Sequence, residues 1–174
     1  MNLTHYKNKV TDLPLKDMPR SGVNKLQVGR SVYDFYMIEW AGVDPENGDP
    51  LWYKNEVDAN KNPTGKRVTT NDYGSADYYY VNKSSLPKVY GGFNTSLSWK
   101  GFDLSLMGQG VQGAKHYASG WGLRPFYQGS PISQDYIDNM WTEEHTDAKY
   151  PRLYFADLGG AKNQRESTYW LYNA

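Results

Sequence analysis

VYGGFNTSLSWKGFDLSLMGQGVQG, residues 89 to 113, is the stretch whose reading decides the fold. It divides into two runs at Lys100-Gly101. If those two residues form the loop of a hairpin, counting outward pairs Trp99 with Phe102, Leu97 with Leu104, Thr95 with Leu106 and Phe93 with Gly108 on one face. The other face pairs Ser98 with Asp103, Ser96 with Ser105, Asn94 with Met107 and Gly92 with Gln109. Alternation of period two, in phase on both runs, predicts an antiparallel hairpin with one apolar and one polar face. A slip of one residue would mix the two sets, so the register is well specified. Gly101 supplies the positive φ that a tight hairpin loop needs.

Two structures use such a hairpin. In a soluble sandwich the apolar face meets a core and the polar face meets water. In an outer-membrane barrel the apolar face meets lipid and the polar face lines a wet lumen. Each arm runs about 10–11 residues, the length of a tilted strand that crosses a bilayer. Trp99 and Phe102 flank the turn, where an aromatic girdle would lie. The alternation by itself favours the sandwich, which is the commoner structure.

The chain has 174 residues, enough for one domain or for part of a larger one. Lys plus Arg and Asp plus Glu balance at 19 each, so there is no basic excess for nucleic acid. No cysteine is present, which excludes disulfides and thiolate zinc sites. There is no run of 18 apolar residues to make a transmembrane helix, and MNLTHYKNKV lacks the apolar core of a signal peptide. Sixteen tyrosines and six tryptophans occur in a chain that is polar on average. That pairing suits aromatics displayed on wet or interfacial surfaces, where their polar tips stay hydrated. An aromatic-rich soluble β domain has the same composition.

Outward from the hairpin, Tyr78 to Val81 starts a strand, and residues 54–76 read as an exposed loop or hairpin tip. Ser31 to Val43 is rich in aromatic and branched residues and predicts a strand covered on both sides. Asp44-Pro45 and Asn47-Gly48 predict a turn, with a new strand opening at Leu51-Trp52-Tyr53. The carboxylates of that turn do not follow the EF-hand pattern. Residues 11–30 read as a loop, and Asn2 to Lys9 as the end of a strand. On the other side, residues 113–168 predict a long loop excursion with one short helix near 133–141. Ser133 would cap it, and Tyr136, Ile137, Met140 and Trp141 would form its apolar stripe. STYWLYNA, residues 167–174, enters a last strand.

Nothing here predicts catalysis. His5, His116 and His145 are scattered, and Glu143, Glu144, His145 and Asp147 read as a solvated cluster after the helix. No nucleophile elbow, P-loop or dinucleotide fingerprint occurs, and no cofactor is expected. Trp121, Phe126 and Tyr127, in a stretch rich in glycine and proline, are the candidate substrate-binding residues, because a sugar or peptide could stack on them. Alternatively they pack the loop's own small core.

Several stretches together resemble SusC/RagA-like TonB-dependent outer-membrane transporters. They are VGRSVYDFYMIEWAGVDPENGDPLWY (28–53), SLPKVYGGFNTSLSWKGFDLSLMGQG (85–110), YIDNMWTEEHTDAKYPRL (136–153) and STYWLYNA (167–174). The resemblance implies that residues 1–174 are an all-β piece of the C-terminal region of a large transmembrane β-barrel of about 22 strands. Their long loops would include one short helix. Plug domain, signal peptide and closing strands are expected elsewhere. It further implies import of glycans or peptides across the outer membrane with energy from TonB, a SusD-like surface lipoprotein as lid, and no enzyme activity. The apolar hairpin face then meets outer-membrane lipid. The other class of function is a soluble aromatic-rich β domain that binds carbohydrate.

Overall fold

A computed structural model describes residues 1–15, 18–118, 131–153, 163 and 165–174. Apart from Gln134–Asn139 (α1) and short 3-10 turns, the regular structure of these residues is β-strand, mostly antiparallel. No helix among them is long and apolar enough to cross a membrane, which says nothing about crossing with strands. The chain divides into two compact units. The first comprises Met1–Tyr36, Asn82–His116 and Tyr172–Ala174, and the second Met37–Val81 and Tyr117–Leu171.

The first unit is organised on the hairpin. Val89–Trp99 (β9) and Phe102–Gln112 (β10) pair antiparallel over eleven residues each, from Phe102 against Trp99 to Gln112 against Val89. All eight pairs expected from the alternation are present, so the faces sort as expected. Lys100 and Gly101 both take positive φ, 48° and 85°. Two successive left-handed residues match the twist of the flanking strands, and Gly101 accepts that backbone without a Cβ clash. Asn2–His5 (β1) pairs with the open end of β9, giving the order β1-β9-β10. Leu3 lies opposite Gly91, so the apolar face continues onto β1. The strand at the start of the chain stops at His5, short of the expected Lys9. Within 11–30 the expected loop contains two two-residue strands, Arg20–Ser21 (β2) and Asn24–Lys25 (β3), which pair with each other.

The strand expected over 31–43 is broken in two, Asp34–Ile38 (β4) and Trp40–Val43 (β5). β4 joins a sheet in the order β2-β3-β4-β8, where β8 is Tyr78–Ser84. β5 turns to a different sheet with Pro50–Val57 (β6) and Pro63–Thr70 (β7), in the order β5-β6-β7. A register shift between Trp40 and Gly42 marks a bulge in the β5–β6 ladder, the usual device for re-aiming a strand.

The second unit holds most of the buried apolar side chains, including Met37, Ile38, Trp52, Val81, Tyr136 and Trp170. Trp52 is 1% exposed and meets Tyr73 edge-on at 5.1 Å. Burial of its apolar surface contributes roughly 3 kcal/mol, offset by about 1–3 kcal/mol for the buried indole N–H, which has no hydrogen-bond partner among the described residues. Residues 54–76, expected as loop or hairpin tip, supply the rest of β6, a tip at 58–62 and all of β7. At the tip the Asp58 carboxylate accepts the backbone N–H groups of Asn60 and Asn62 at 2.8 and 2.9 Å. The hydrogen bond from the Asn62 backbone, foremost, holds its carboxyl below the ordinary range.

The expected helix forms but is shorter. Ser133 caps α1, its Oγ accepting from the Tyr136 N–H at 3.2 Å. The helix ends at Asn139, whose Nδ2 donates to the Asp135 carbonyl at 2.9 Å and to the Asp135 carboxylate at 3.0 Å. Met140 is therefore extended, and the expected four-residue stripe is not a helix face. Tyr136 is buried, whereas Ile137 is 47% exposed. Among the described residues of 113–168 there is one strand, Lys115–Tyr117 (β11), and α1. After a 3-10 turn at Thr168–Trp170, Leu171–Asn173 (β12) pairs with β11, so STYWLYNA does enter a strand.

Candidate functional site: an apolar strand face and an interlocked turn

In the first unit, Phe93, Leu97, Trp99, Phe102, Leu104 and Leu106 share the apolar face of β9 and β10 and are 49–75% exposed. Six large apolar side chains on one sheet face, uncovered in water, are the kind of contiguous patch that marks an interaction surface. The opposite face carries Asn94, Ser96, Ser98, Asp103, Ser105 and Gln109, interrupted by Tyr90, Met107 and Val111. From Trp99 to Val89 the strand advances ten residues, about 34 Å, which a tilt of roughly 40° reduces to about 26 Å. That matches an apolar band of about 25 Å. The aromatic pair Trp99–Phe102 stands at the turn edge of the band; Tyr90, near the other end of β9, lies on the opposite face.

In the second unit, two distant stretches interlock. In the turn at 44–49, Asp44 Oδ1 accepts from the Glu46 N–H at 3.0 Å, and Asn47 Oδ1 from the Asp49 N–H at 2.8 Å. The carboxylate of Asp44 is thus spent on its own turn. Asp49 is 3% exposed, and its carboxylate accepts from Arg152 Nη2 at 3.1 Å and Asn71 Nδ2 at 3.2 Å. A buried carboxylate needs such partners, because an unpaired one would forgo its hydration for nothing. The Arg152 N–H donates to the Gly48 carbonyl at 3.0 Å, and Trp141 Nε1 to the Pro45 carbonyl at 3.1 Å. The Trp141 ring covers Gly48, where a Cβ would stand 2.5 Å from Cδ2.

The helix joins the same interlock. Tyr136 stacks on Tyr150 at 4.7 Å, and its hydroxyl donates to the Pro151 carbonyl at 2.8 Å. Asp135 accepts from the Tyr150 hydroxyl and from Lys149 Nζ, which depresses its pKa; the hydroxyl of Tyr150 and the carboxylate of Asp135 raise that of Lys149. On β7, Arg67 pairs with Glu39 and lies 3.9 Å above the Tyr79 ring. Partial burial and the nearby Asp77 charge raise the Tyr79 pKa.

Trp121, Phe126 and Tyr127 lie outside the described residues. Glu143, Glu144, His145 and Asp147 do not gather into a metal-ligand group among the described residues. Asp49, read from the sequence as part of a plain turn, and Arg152 are 103 positions apart, so no local pattern joins them.

No family model matches the chain, and no curated protein matches it. Solved structures do. The RagAB peptide transporter matches with a TM-score of 0.67 and 27% identity, over 91% of this chain and 17% of that one. The RagAB peptide importer matches in its closed-closed state with a TM-score of 0.68 and 26% identity, over 92% and 17%. Its open-open state matches with a TM-score of 0.68 and 25% identity, over 95% and 17%. The chain thus spans under a fifth of the length of the transporters it matches, and almost all of it is matched. Antiparallel strands with an outward apolar face, and a match to β-barrel transporters along nearly its whole length, show that the chain resembles part of a SusC/RagA-like TonB-dependent transporter.

Proposed function

We propose that residues 1–174 are part of the barrel of an outer-membrane transporter that imports peptides or glycans with energy from TonB. The observation that carries this is the exposed apolar face of β9–β10, whose length, and the aromatic pair Trp99–Phe102 at its turn edge, fit a bilayer crossing. The match to a peptide transporter and importer supports the solute class. The tight turn at Lys100-Gly101 then faces the periplasm and the long connections face outward. Trp121, Phe126 and Tyr127 are, on their chemistry, the candidates to touch the solute. A SusD-like surface lipoprotein is the partner that closes over it.

The test uses the full-length protein that carries this chain, expressed in a host with a labelled outer membrane. Uptake of fluorescent oligopeptides and oligosaccharides is measured with and without an uncoupler that collapses the energy supplied through TonB. Energy-dependent uptake of either class supports the proposal. Recovery of the folded protein from the soluble fraction, with no uptake, would sink it.

A further inference from the structure

We infer that a basic cleft in the first unit holds the phosphorylated headgroup of an outer-leaflet lipid. This rests on the β9–β10 face being lipid-facing and adds a ligand that transport does not require. The cleft measures about 500 Å³ and is lined by residues 6–8, 27–31, 34, 84 and 86–88. Lys7, Arg30 and Lys88 line it against the single carboxylate of Asp34, so three positive charges minus one negative leave a net +2.

Its walls are fixed by hydrogen bonds within the unit. Asn8 Oδ1 accepts from Ser31 Oγ at 3.2 Å and from the Val32 N–H at 3.0 Å. The Val10 N–H donates to the Arg30 carbonyl, and the Gly29 N–H to the Val10 carbonyl, both at 2.8 Å. Ser84 Oγ ties the opposite wall to the Tyr33 carbonyl at 3.2 Å. Arg30 Nη1 donates to Asn82 Oδ1 at 3.1 Å, which holds the guanidinium in place. Asp34 Oδ2 accepts from the Ser31 N–H at 3.3 Å, so its charge is partly engaged by the backbone.

The level of the cleft selects the ligand. Lys7 follows β1 by two residues and Lys88 precedes β9 by one. Both therefore leave their strands at the end opposite the Lys100-Gly101 turn, about 26 Å along the bilayer normal from Trp99 and hence at headgroup height. Tyr6 and Val28, both exposed, line the same cleft. Cations next to exposed tyrosine and valine suit a phosphate carried above acyl chains, whereas a small free anion would have no use for the apolar rim.

The experiment uses the full-length protein in nanodiscs of phosphatidylcholine. Retention of a bisphosphorylated lipid A and of its dephosphorylated form is read by native mass spectrometry. Substituting Lys7→Gln together with Lys88→Gln is expected to lower retention of the phosphorylated lipid by roughly thirtyfold. Lys7→Arg with Lys88→Arg should keep it, and Lys66→Gln on β7 should change nothing. In the unsubstituted protein, raising salt should release the phosphorylated lipid selectively, a readout that needs no variant to fold. Equal retention of the two lipids, or no loss in the glutamine pair, overturns the inference. Competition by inorganic phosphate at the lipid's own concentration would make this a free-anion site and overturn it as well. Failure of the protein to enter nanodiscs at all would remove the lipid-facing reading, and this inference with it.

Discussion

A lysine placed along the apolar face of β10 should cost more the deeper it lies, and the register fixes the depths. Phe102 is at the turn edge of the band, level with Trp99. Each residue advances about 2.6 Å along the bilayer normal at a tilt of roughly 40°, so Leu104 lies about 5 Å in and Leu106 about 10 Å in. The midplane of a 25 Å band is at about 12 Å. Leu106→Lys should therefore destabilise the assembled barrel by about 2–4 kcal/mol, and Phe102→Lys through its charge by only about 0–1 kcal/mol. Leu104→Lys falls between, at roughly 1–2 kcal/mol, and Leu97→Lys should equal it, because Leu97 is its cross-strand partner. Ser105→Lys, on the opposite face, should cost almost nothing in a wet lumen. The assay is a denaturant titration of the full-length protein folding into vesicles, followed by tryptophan fluorescence. A flat series, or a Ser105→Lys penalty equal to that of Leu106→Lys, would refute the assignment of this face to lipid.

Three further outcomes are open to measurement. The Phe93 ring lies over Gly108, where a Cβ would stand 2.4 Å from Cε1, while Gly110 has open space. Gly108→Ala should thus destabilise by about 1–3 kcal/mol and Gly110→Ala by less than about 0.5 kcal/mol in the same titration. Arg152→Met takes the guanidinium away from the buried Asp49 carboxylate and leaves the neutral Asn71 amide on it. It should destabilise the second unit by about 2–3 kcal/mol, discounted from a fully buried pair because Arg152 is 41% exposed, and thermal unfolding would record the loss. Asp135 has a depressed pKa, from the Tyr150 hydroxyl foremost and then Lys149. Its support for α1 is complete above the unfolded carboxylate value of about 3.9 and disappears as pH falls through the lower folded value. Amide exchange over 134–139, corrected for its intrinsic rate, should accelerate only in that acid window, and Asp135→Asn should remove the transition.

How much was legible in the sequence depended on whether the deciding interaction was local. The β9–β10 register was readable because alternation and a two-residue turn are both encoded within 24 consecutive residues, Val89 to Gln112. The start of α1 was readable from Ser133, a cap acting three residues ahead. Its end was not, because the chain beyond it pairs with residues some ten positions on, Asn139 with Tyr150 and Trp141 with Tyr150. β7 was missed as a strand since PTGKRVTT is exposed or half-buried throughout, which erases the alternation that betrays a one-sided strand. The break at Glu39 depends on which sheet each half joins, and that choice is made by β6 and β8. Asp49 is a turn residue by sequence and a buried keystone in the structure, because its partners lie 22 and 103 positions away. The aromatics 121, 126 and 127 remain candidates on chemistry alone.

The stretches 28–53 and 136–153 both carry the resemblance, and the second unit gives a physical reason why their contacting parts go together. Gly48 takes a φ of +73° beneath the Trp141 ring, and Trp141 in turn is tethered to the Pro45 carbonyl. If that contact is one interlock, substitutions on its two sides must couple. Gly48→Ala in the unsubstituted protein incurs left-handed backbone strain of about 1–2 kcal/mol, plus displacement of the ring. In a Trp141→Ala background the ring is gone and the strain alone remains. The double substitution should therefore cost less than the sum of the single ones by about 1–3 kcal/mol, measured as thermal stability of the second unit in a double-mutant cycle. Strict additivity would mean that Trp141 does not press on Gly48, and the two stretches would then be neighbours without being a single mechanical element.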